Sequence, residues 1–223
     1  MPTNLHLFST PGDRDIRYIV DASRVYLAGH ADALVAYLPL ASLSDEWQAL
    51  TEKAFKGLAR VAVLNSETMT FSEMEEIVRR AHVLYIPGGN TFLLAHRLYV
   101  SRWMPYLRKK ILAGLPLLGF SAGSILCGPN ILTSPDMNMI ETPHFSGLNL
   151  MPFNLYVHYD DDIESDDWLS DFHVFQPNPI ILLADAAYLR VENKRVSLVR
   201  GDAWVLRKNQ EKEKIISGQE IKV

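Results

Sequence analysis

The sequence contains little cysteine, no excess of positive charge and no long apolar run. Its single cysteine, Cys127, excludes an internal disulfide and a multi-cysteine metal site, and we expect it to be a buried apolar residue. The net charge of −4 argues against nucleic-acid binding, because such proteins normally present a basic face. The apolar runs are too short to span a bilayer, and residues 1–4 lack the features of a signal peptide. These absences predict a cytoplasmic protein that binds neither nucleic acid nor membranes.

Metal chemistry is also disfavoured, because the sequence has no pair of histidines with the H-E-x-x-H spacing of a zinc-binding helix. The remaining composition is that of an ordinary globular protein: 48% of the 223 residues are hydrophobic and 22% are charged. A chain of this length can bury a substantial core, so we expect residues 1–223 to form one domain.

Apolar runs that read as buried strands alternate with helical patterns in the first half of the chain. This alternation predicts a parallel sheet with helices on both faces. The predicted strands there span residues 5–8, 33–39, 61–64, 83–87 and 115–118. Later strands are expected at residues 154–159 and 180–183, in a hairpin at 189–199 and at 203–206. The hairpin pattern predicts antiparallel additions at the edge of the sheet.

Two helix starts carry local capping signals. Ser44 precedes Asp45 and Glu46, and acidic residues in a first turn complement the helix dipole. The stretch from Ser72 to Glu75 has the spacing of a capping box.

The most informative stretch is the strand at 115–118, which runs into a Gly-Phe-Ser-Ala-Gly turn centred on Ser121 and then into a helix. The glycines permit a tight turn that exposes the serine hydroxyl. The first free N–H groups of the helix point back at the turn, where an oxyanion could lie. The pattern predicts a nucleophile elbow.

A serine nucleophile needs a histidine to take its proton and a carboxylate to orient that histidine. His158 is the main candidate because it ends an apolar strand, and His144, beside a proline in a loop, is the weaker one. Asp136, Asp160 and Asp185 could each orient the histidine, and each also fits a turn or surface aspartate. The residues alone leave this choice open.

Several motifs together resemble peptidase family S51, the serine peptidases that include dipeptidase E and cyanophycinase. Their order and spacing agree with the family over roughly residues 60–205. The motifs are Gly88-Gly89-Asn90-Thr91-Phe92, Gly119-Phe120-Ser121-Ala122-Gly123, Asp136-Met137, Leu148-Asn149-Leu150-Met151-Pro152, and His158 followed by an aromatic residue.

This resemblance implies a flavodoxin-like, three-layer α/β sandwich of the class I glutamine amidotransferase type. It implies Ser121 as the nucleophile and His158 as the general base. Asp185 corresponds to the family's acidic residue at a strand end, so we expect it to orient the histidine. Asp136 is then expected near the substrate or as the alternative acid.

The resemblance further implies that the N–H groups of Gly89 and Ala122 form the oxyanion hole, with Gly88 and Asn90 in the same substrate-binding loop. It implies a short peptide substrate and no cofactor, and it leaves a homodimer open. The expected activity is that of a serine-type exopeptidase or dipeptidase that acts through an acyl-enzyme.

The sequence departs from the aspartyl dipeptidases of this family, which hold the substrate carboxylate with an arginine downstream of the histidine. Here residues 159–176 contain no Arg or Lys, so an acidic substrate would meet like charge without a bidentate partner. The segment is either a solvated helix face or an acidic rim that recognises an amine or a basic side chain. Its acids are Asp160, Asp161, Asp162, Glu164, Asp166, Asp167 and Asp171.

Two other functions remain open at this point. The order Ser121, Asp136, His158 permits an esterase of the α/β-hydrolase type, although the serine-to-acid spacing is short for that fold. The second alternative is a binding module on the same scaffold that has no catalytic activity, because one fold can serve several functions.

Overall fold

The computed structural model of the chain describes residues 3–10 and 16–221 and contains two β-sheets flanked by helices. The strands are β1 (Asn4–Phe8), β2 (Leu34–Tyr37), β3 (Arg60–Val63), β4 (Val83–Ile86), β5 (Leu117–Phe120), β6 (Asn154–Val157), β7 (Ile180–Leu183), β8 (Tyr188–Glu192), β9 (Arg195–Arg200), β10 (Ala203–Leu206), β11 (Glu213–Ile215) and β12 (Glu220–Ile221). The helices are α1 (Arg17–Leu27), α2 (Glu46–Phe55), α3 (Phe71–Arg80), α4 (Thr91–Val100), α5 (Trp103–Leu112), α6 (Ala122–Ile125) and α7 (Ile163–Phe175).

The first sheet has the order β12-β9-β8-β1-β5-β4-β2-β3. Strands β1 to β5 are parallel, and the hairpin β8–β9 and strand β12 add antiparallel to the β1 edge. Alternate residues of the parallel strands pack against α1 and α2 on one face and against α3, α4 and α5 on the other. The predicted α/β sandwich with antiparallel additions near the C-terminus is confirmed.

A second sheet, of order β11-β10-β7-β6, was not expected from the sequence. One face of this sheet shares the core with the first sheet, and the other face packs beneath α7. Strands β6, β7 and β10 therefore do not join the edge of the first sheet. Because β7 and β10 are buried on both faces, their sequences are uniformly apolar and carry no signal that distinguishes one sheet from another.

The helix starts differ by one or two residues from their sequence predictions. The capping box of α3 is formed by Thr70 and Glu73, because the same S/T-x-x-E spacing occurs twice and the earlier pair caps the helix. Helix α2 begins after Asp45, which makes no side-chain cap, and Ser44 instead accepts a hydrogen bond from the N–H of Glu46.

Strand β1 carries a buried histidine whose ring reaches α1. His6 is 4% exposed, and its two ring nitrogens are hydrogen-bonded to the hydroxyls of Tyr188 and Tyr26. Burial, with a smaller contribution from the charge of Arg190, lowers the pKa of His6 to about 4 from its ordinary 6.5. Neutral His6 accepts at one ring nitrogen and donates at the other, which suits two hydroxyl partners.

The depressed pKa of His6 predicts acid lability of the fold. Because the unfolded state binds the proton more readily, the stabilisation by neutral His6 is complete above pH 6.5 and is lost as the pH falls towards about 4. We expect the free energy of unfolding to fall by on the order of 3 kcal/mol over that range from this group alone. Urea unfolding of the wild type and His6→Gln at several pH values measures the difference, and identical pH profiles for the two proteins would contradict it.

Candidate active site

The residues that the sequence analysis singled out lie after the carboxyl ends of strands in both sheets. Ser121 follows β5, and the loop from Gly88 to Asn90 follows β4 in the first sheet. His158 follows β6 and Asp185 follows β7 in the second sheet. The carboxyl ends of neighbouring parallel strands meet at one edge, which is the usual place for a site in an open α/β sheet.

The turn at Ser121 is sharp and rests on close contacts between main chains. Ser121 has φ 49° and ψ −110°, a conformation that non-glycine residues rarely adopt. Its N–H donates to the carbonyl of Phe8 at 2.9 Å. A Cβ atom at Gly123 would lie 2.1 Å from the carbonyl oxygen of Ile86, so only glycine permits this approach. The geometry is that of a strand-to-helix elbow that exposes the serine hydroxyl.

Three side chains form a continuous hydrogen-bonded chain at this edge. The Ser121 hydroxyl is 2.8 Å from Nε2 of His158, and Nδ1 of His158 is 2.9 Å from Oδ1 of Asp185. An ionised carboxylate can only accept, so the neutral imidazole that satisfies both contacts carries its proton on Nδ1 and accepts from the serine at Nε2. The His158 and Asp185 side chains are 39% and 67% exposed, so this pair faces water.

The structure places Asp136 in the long stretch between α6 and β6, beside the start of α4, and none of the hydrogen bonds of the described residues joins it to His158. Its Oδ2 accepts from the N–H and the hydroxyl of Thr91, both at 2.7 Å, and from the hydroxyl of Ser134 at 2.9 Å. Thr91 is the first residue of α4, and Asn90 caps the same helix by accepting from the N–H of Leu93. Asp136 therefore braces the start of α4 and the loop before it.

The other candidates for the base and the acid lie elsewhere. The His144 ring stacks on Tyr99, with 3.3 Å between the ring centroids. Asp160 lies beside Asp162, whose carboxyl hydrogen-bonds to it and raises its pKa, and the charge of Asp185 adds a smaller increase. Asp160 therefore contributes negative charge next to the His158–Asp185 pair.

The predicted oxyanion loop is tightly fitted to its surroundings. Gly89 has φ 133°, and a Cβ atom there would lie 2.3 Å from the carbonyl oxygen of Ala41. A Cβ atom on Gly88 would lie 3.1 Å from Cβ of Ser121, so this residue borders the serine directly. Within the described part of the chain, the N–H groups of Gly89 and Ala122 have no hydrogen-bond acceptor. Both N–H groups are thus free to bind an oxygen atom.

Cys127 is fully buried close to the elbow, as expected. Its thiol donates to the carbonyl of Gly123, and burial raises its pKa. The thiol therefore stays protonated and is not a candidate nucleophile.

A lysine from a distant part of the chain forms ion pairs with the acidic segment after His158. Lys212, on the turn between β10 and β11, bonds to the hydroxyl of Tyr159 and to the carboxylates of Asp161 and Asp166. Asp162 caps α7 by accepting from the N–H of Ser165. Part of the negative charge that the sequence presents as uncompensated is therefore neutralised or used to cap a helix.

Sequence reasoning missed the residues that hold the site from outside it. Ser9 accepts a hydrogen bond from the N–H of His158, but in the sequence it is only a polar residue at the end of a strand. Thr91 belongs to a recognised motif, whereas Ser134 and Lys212 have no local signal. Contacts between residues that are distant in sequence carry no such signal.

No group of three or more His, Cys, Asp or Glu side chains in the described ranges is placed to hold a metal ion. No helix in the same ranges is long and apolar enough to cross a membrane.

Comparison with known proteins gives consistent matches. The model of peptidase family S51 matches residues 11–199. The chain is 30% identical over 173 residues to a peptidase E of Nostoc sp., which covers 74% of this chain and 72% of that protein. It is 34% identical over 134 residues to a peptidase E of Pasteurella multocida, covering 60% of this chain and 57% of the relative.

Solved structures of low sequence identity share the fold. A peptidase E protein from Listeria monocytogenes aligns with a TM-score of 0.73 at 22% identity, covering 90% of this chain and 100% of the other. A peptidase from an acI-B1 Actinobacterium aligns with the same TM-score at 16% identity, over 100% of this chain and 98% of the other.

The family match extends over most of the chain and includes β4, β5, β6 and β7, whose carboxyl ends carry the residues described above. By this match the protein belongs to peptidase family S51 and is a serine peptidase.

Proposed function

We propose that the protein hydrolyses short peptides as an exopeptidase or dipeptidase, with Ser121 as the nucleophile, His158 as the general base and Asp185 as the acid that orients it. The single observation that carries this proposal is the pair of contacts at 2.8 Å and 2.9 Å that joins the three side chains in the order that serine catalysis needs. The family membership supports the reaction class.

The reaction begins when Oγ of Ser121 attacks the carbonyl carbon of the scissile peptide and its proton passes to Nε2 of His158. Asp185 accepts from Nδ1–H and stabilises the imidazolium. His158 then returns the proton to the leaving amine, which departs and leaves an acyl-enzyme. A water molecule, deprotonated by His158, attacks the ester carbon and releases the acid product with regeneration of Ser121.

The oxyanion of each tetrahedral intermediate is assigned to the free N–H groups of Gly89 and Ala122. One follows β4 and the other begins α6, so they approach the serine from two sides. Backbone donors that are already in place stabilise developing charge without reorganisation. The role of Asp136 is to brace this loop through Thr91, rather than to act as the second acid.

The substrate is proposed to lack an acidic N-terminal side chain. The segment at 159–176 supplies no cation, and the ammonium of Lys212 is engaged with Asp161 and Asp166. Asp160 adds negative charge beside Asp185. A substrate carboxylate there would meet like charge, whereas a free amine or a neutral or basic side chain would not.

The nucleophile is tested by Ser121→Ala against a panel of Asp-Leu, Leu-Leu, Arg-Leu and β-Asp-Arg dipeptides with a simple phenyl ester. We expect kcat to fall by about 10⁴ to 10⁶, because the members of a triad act as a unit. Leu-Leu or Arg-Leu should be cleaved faster than Asp-Leu. The matched control is Ser170→Ala, since Ser170 is exposed on α7.

Turnover of the dipeptides that survives in Ser121→Ala would contradict the assignment of the nucleophile. Cleavage of the ester alone would replace the peptidase proposal with an esterase. A wild type that cleaves Asp-Leu fastest would overturn the proposed substrate class.

The choice between the two acids is tested by Asp185→Asn and Asp136→Asn. Asparagine at 185 removes the charge that stabilises the imidazolium, so kcat should fall by about 10² to 10⁴. Asparagine at 136 keeps an acceptor for the N–H of Thr91, so kcat should stay within about tenfold of wild type, and the main effect should be a lower free energy of unfolding. The reverse ranking of the two kcat values would assign the orienting role to Asp136.

The oxyanion loop is tested by Gly89→Ala, with Gly218→Ala as a matched control. Both glycines have positive φ, but a Cβ at Gly89 meets the Ala41 carbonyl whereas nothing lies within 4 Å of one at Gly218. Gly218→Ala should lose about 1 kcal/mol of stability from backbone strain, and Gly89→Ala should lose more because its Cβ also clashes with the Ala41 carbonyl. Only Gly89→Ala should also lose kcat, by about 10² or more, through displacement of its N–H. Equal kcat in both variants would exclude the loop from catalysis.

A further inference from the structure

The proposed catalytic groups are divided between the two sheets. Ser121 and the oxyanion loop follow strands of the first sheet, whereas His158 and Asp185 follow β6 and β7 of the second. Catalysis requires the base to be held within about half an ångström of its productive position. The sheets must therefore be fastened to each other close to the site.

Ser9, the residue after β1, makes such a fastening with its side chain. It is fully buried, and its Oγ accepts from the N–H of His158 at 2.9 Å. The same hydroxyl donates to the carbonyl of Leu183 at 3.3 Å, two residues before Asp185. That carbonyl also accepts from the N–H of Tyr159 at 3.0 Å. One hydroxyl of the first sheet thus contacts the strand ends that carry both the base and the acid.

The hydrogen bond to Ser9 holds a strained backbone conformation at His158. His158 has φ 60°, in the left-handed region that residues with a side chain adopt only at a cost. The backbone bends there immediately after β6, and its N–H leaves the ladder of the sheet to reach Ser9. Without an acceptor at that point, the strained turn loses the partner that fixes the direction of the imidazole.

We propose that Ser9 is a positioning residue for catalysis, which holds the main chain of His158 so that the imidazole reaches both Ser121 and Asp185. The inference rests on the proposed function, because it assigns Ser9 a role in the same reaction. Ser9 touches neither the reacting atoms nor the imidazole, and it acts through the backbone of the base.

Main-chain hydrogen bonds next to Ser9 hold the same loops together without its side chain, so removal of the hydroxyl tests the positioning role and not the fold. The N–H of Ser9 donates to the carbonyl of Ala187, and the carbonyl of Thr10 accepts from the N–H of Ala186. Both bonds persist when only the hydroxyl is removed, so the loop that carries Asp185 stays attached to β1. Loss of the hydroxyl removes the acceptor of the His158 N–H and one donor to the Leu183 carbonyl, which keeps its bond from the N–H of Tyr159, so the main effect falls on His158.

The test compares Ser9→Ala and Ser9→Thr with Ser23→Ala. Ser23 is also fully buried, but its hydroxyl donates to the carbonyl of Val20 within α1, away from the site. With the dipeptide that the wild type cleaves fastest, Ser9→Ala should lower kcat by about 10- to 100-fold and change KM by less than about twofold. A fluorophosphonate probe should label Ser121 more slowly by a similar factor. Ser9→Thr keeps the hydroxyl and should recover most of kcat, whereas Ser23→Ala should leave kcat unchanged.

A wild-type kcat in folded Ser9→Ala, or an equal loss of kcat in Ser23→Ala, overturns the inference. If Ser9→Thr does not fold, Ser9→Cys takes its place, because the similar-sized thiol is a weak acceptor and should give an intermediate kcat. If the wild type shows no Ser121-dependent turnover, the proposed function fails. The labelling rates of Ser121 then still decide the role of Ser9.

Discussion

The active-site edge of the protein depends on a contact between two main chains, in which α6 begins directly against the end of β4. Gly123 makes this possible, because a Cβ atom at that position would lie 2.1 Å from the carbonyl oxygen of Ile86. The loop that follows β4 is thereby brought beside the turn at Ser121, and the two proposed oxyanion donors come from these neighbouring segments. Ser124 secures the other side, since its buried hydroxyl accepts from the N–H of Phe8 and lies within 2.9 Å of the carbonyl oxygens of Phe8 and Gly119. Main-chain contacts and one buried hydroxyl therefore hold the turn in place.

The division of the site between two sheets explains why the parallel pairing of β6 with β7 matters. Parallel neighbours end on the same side, so the residues that follow them, His158 and Asp185, lie close enough for an ion pair although 26 residues separate them in sequence. In the first sheet, β1, β5 and β4 are also parallel neighbours, so their carboxyl ends lie on the same side. The first sheet therefore supplies the ends of β4 and β5, and the second sheet supplies the ends of β6 and β7. Ser9, directly after β1, connects the two sheets at this point. Because His158 and Asp185 face water, the field of the carboxylate at the imidazole is partly screened, so hydrogen-bond geometry contributes more to this contact than Coulomb attraction does.

The sequence predicted those features that depend on local patterns. The strands around Val83–Ile86 and Leu117–Phe120 are short apolar runs that end in glycine turns, and Ser121 and His158 could be found as polar residues at strand ends. The relations between distant segments could not be predicted. Asp136 and Asp185 are similar turn aspartates in the sequence, and only their partners, Thr91 and His158, distinguish them. The second sheet was missed for the same reason, because apolar strands buried on both faces do not reveal which strands they pair with.

The contacts of Lys212 couple two stretches that are distant in the sequence. Its ammonium holds two carboxylates and a tyrosine hydroxyl of the segment after His158, although it lies about 50 residues further along the chain. A chimera that exchanges only the acidic segment with that of a relative would leave this ammonium without its counter-ions. A change at 212 alone would leave the partly exposed carboxylates of Asp161 and Asp166 without their cation. The two stretches therefore depend on each other, and we expect the acidic segment to keep this structure in a chimera only when both are moved together.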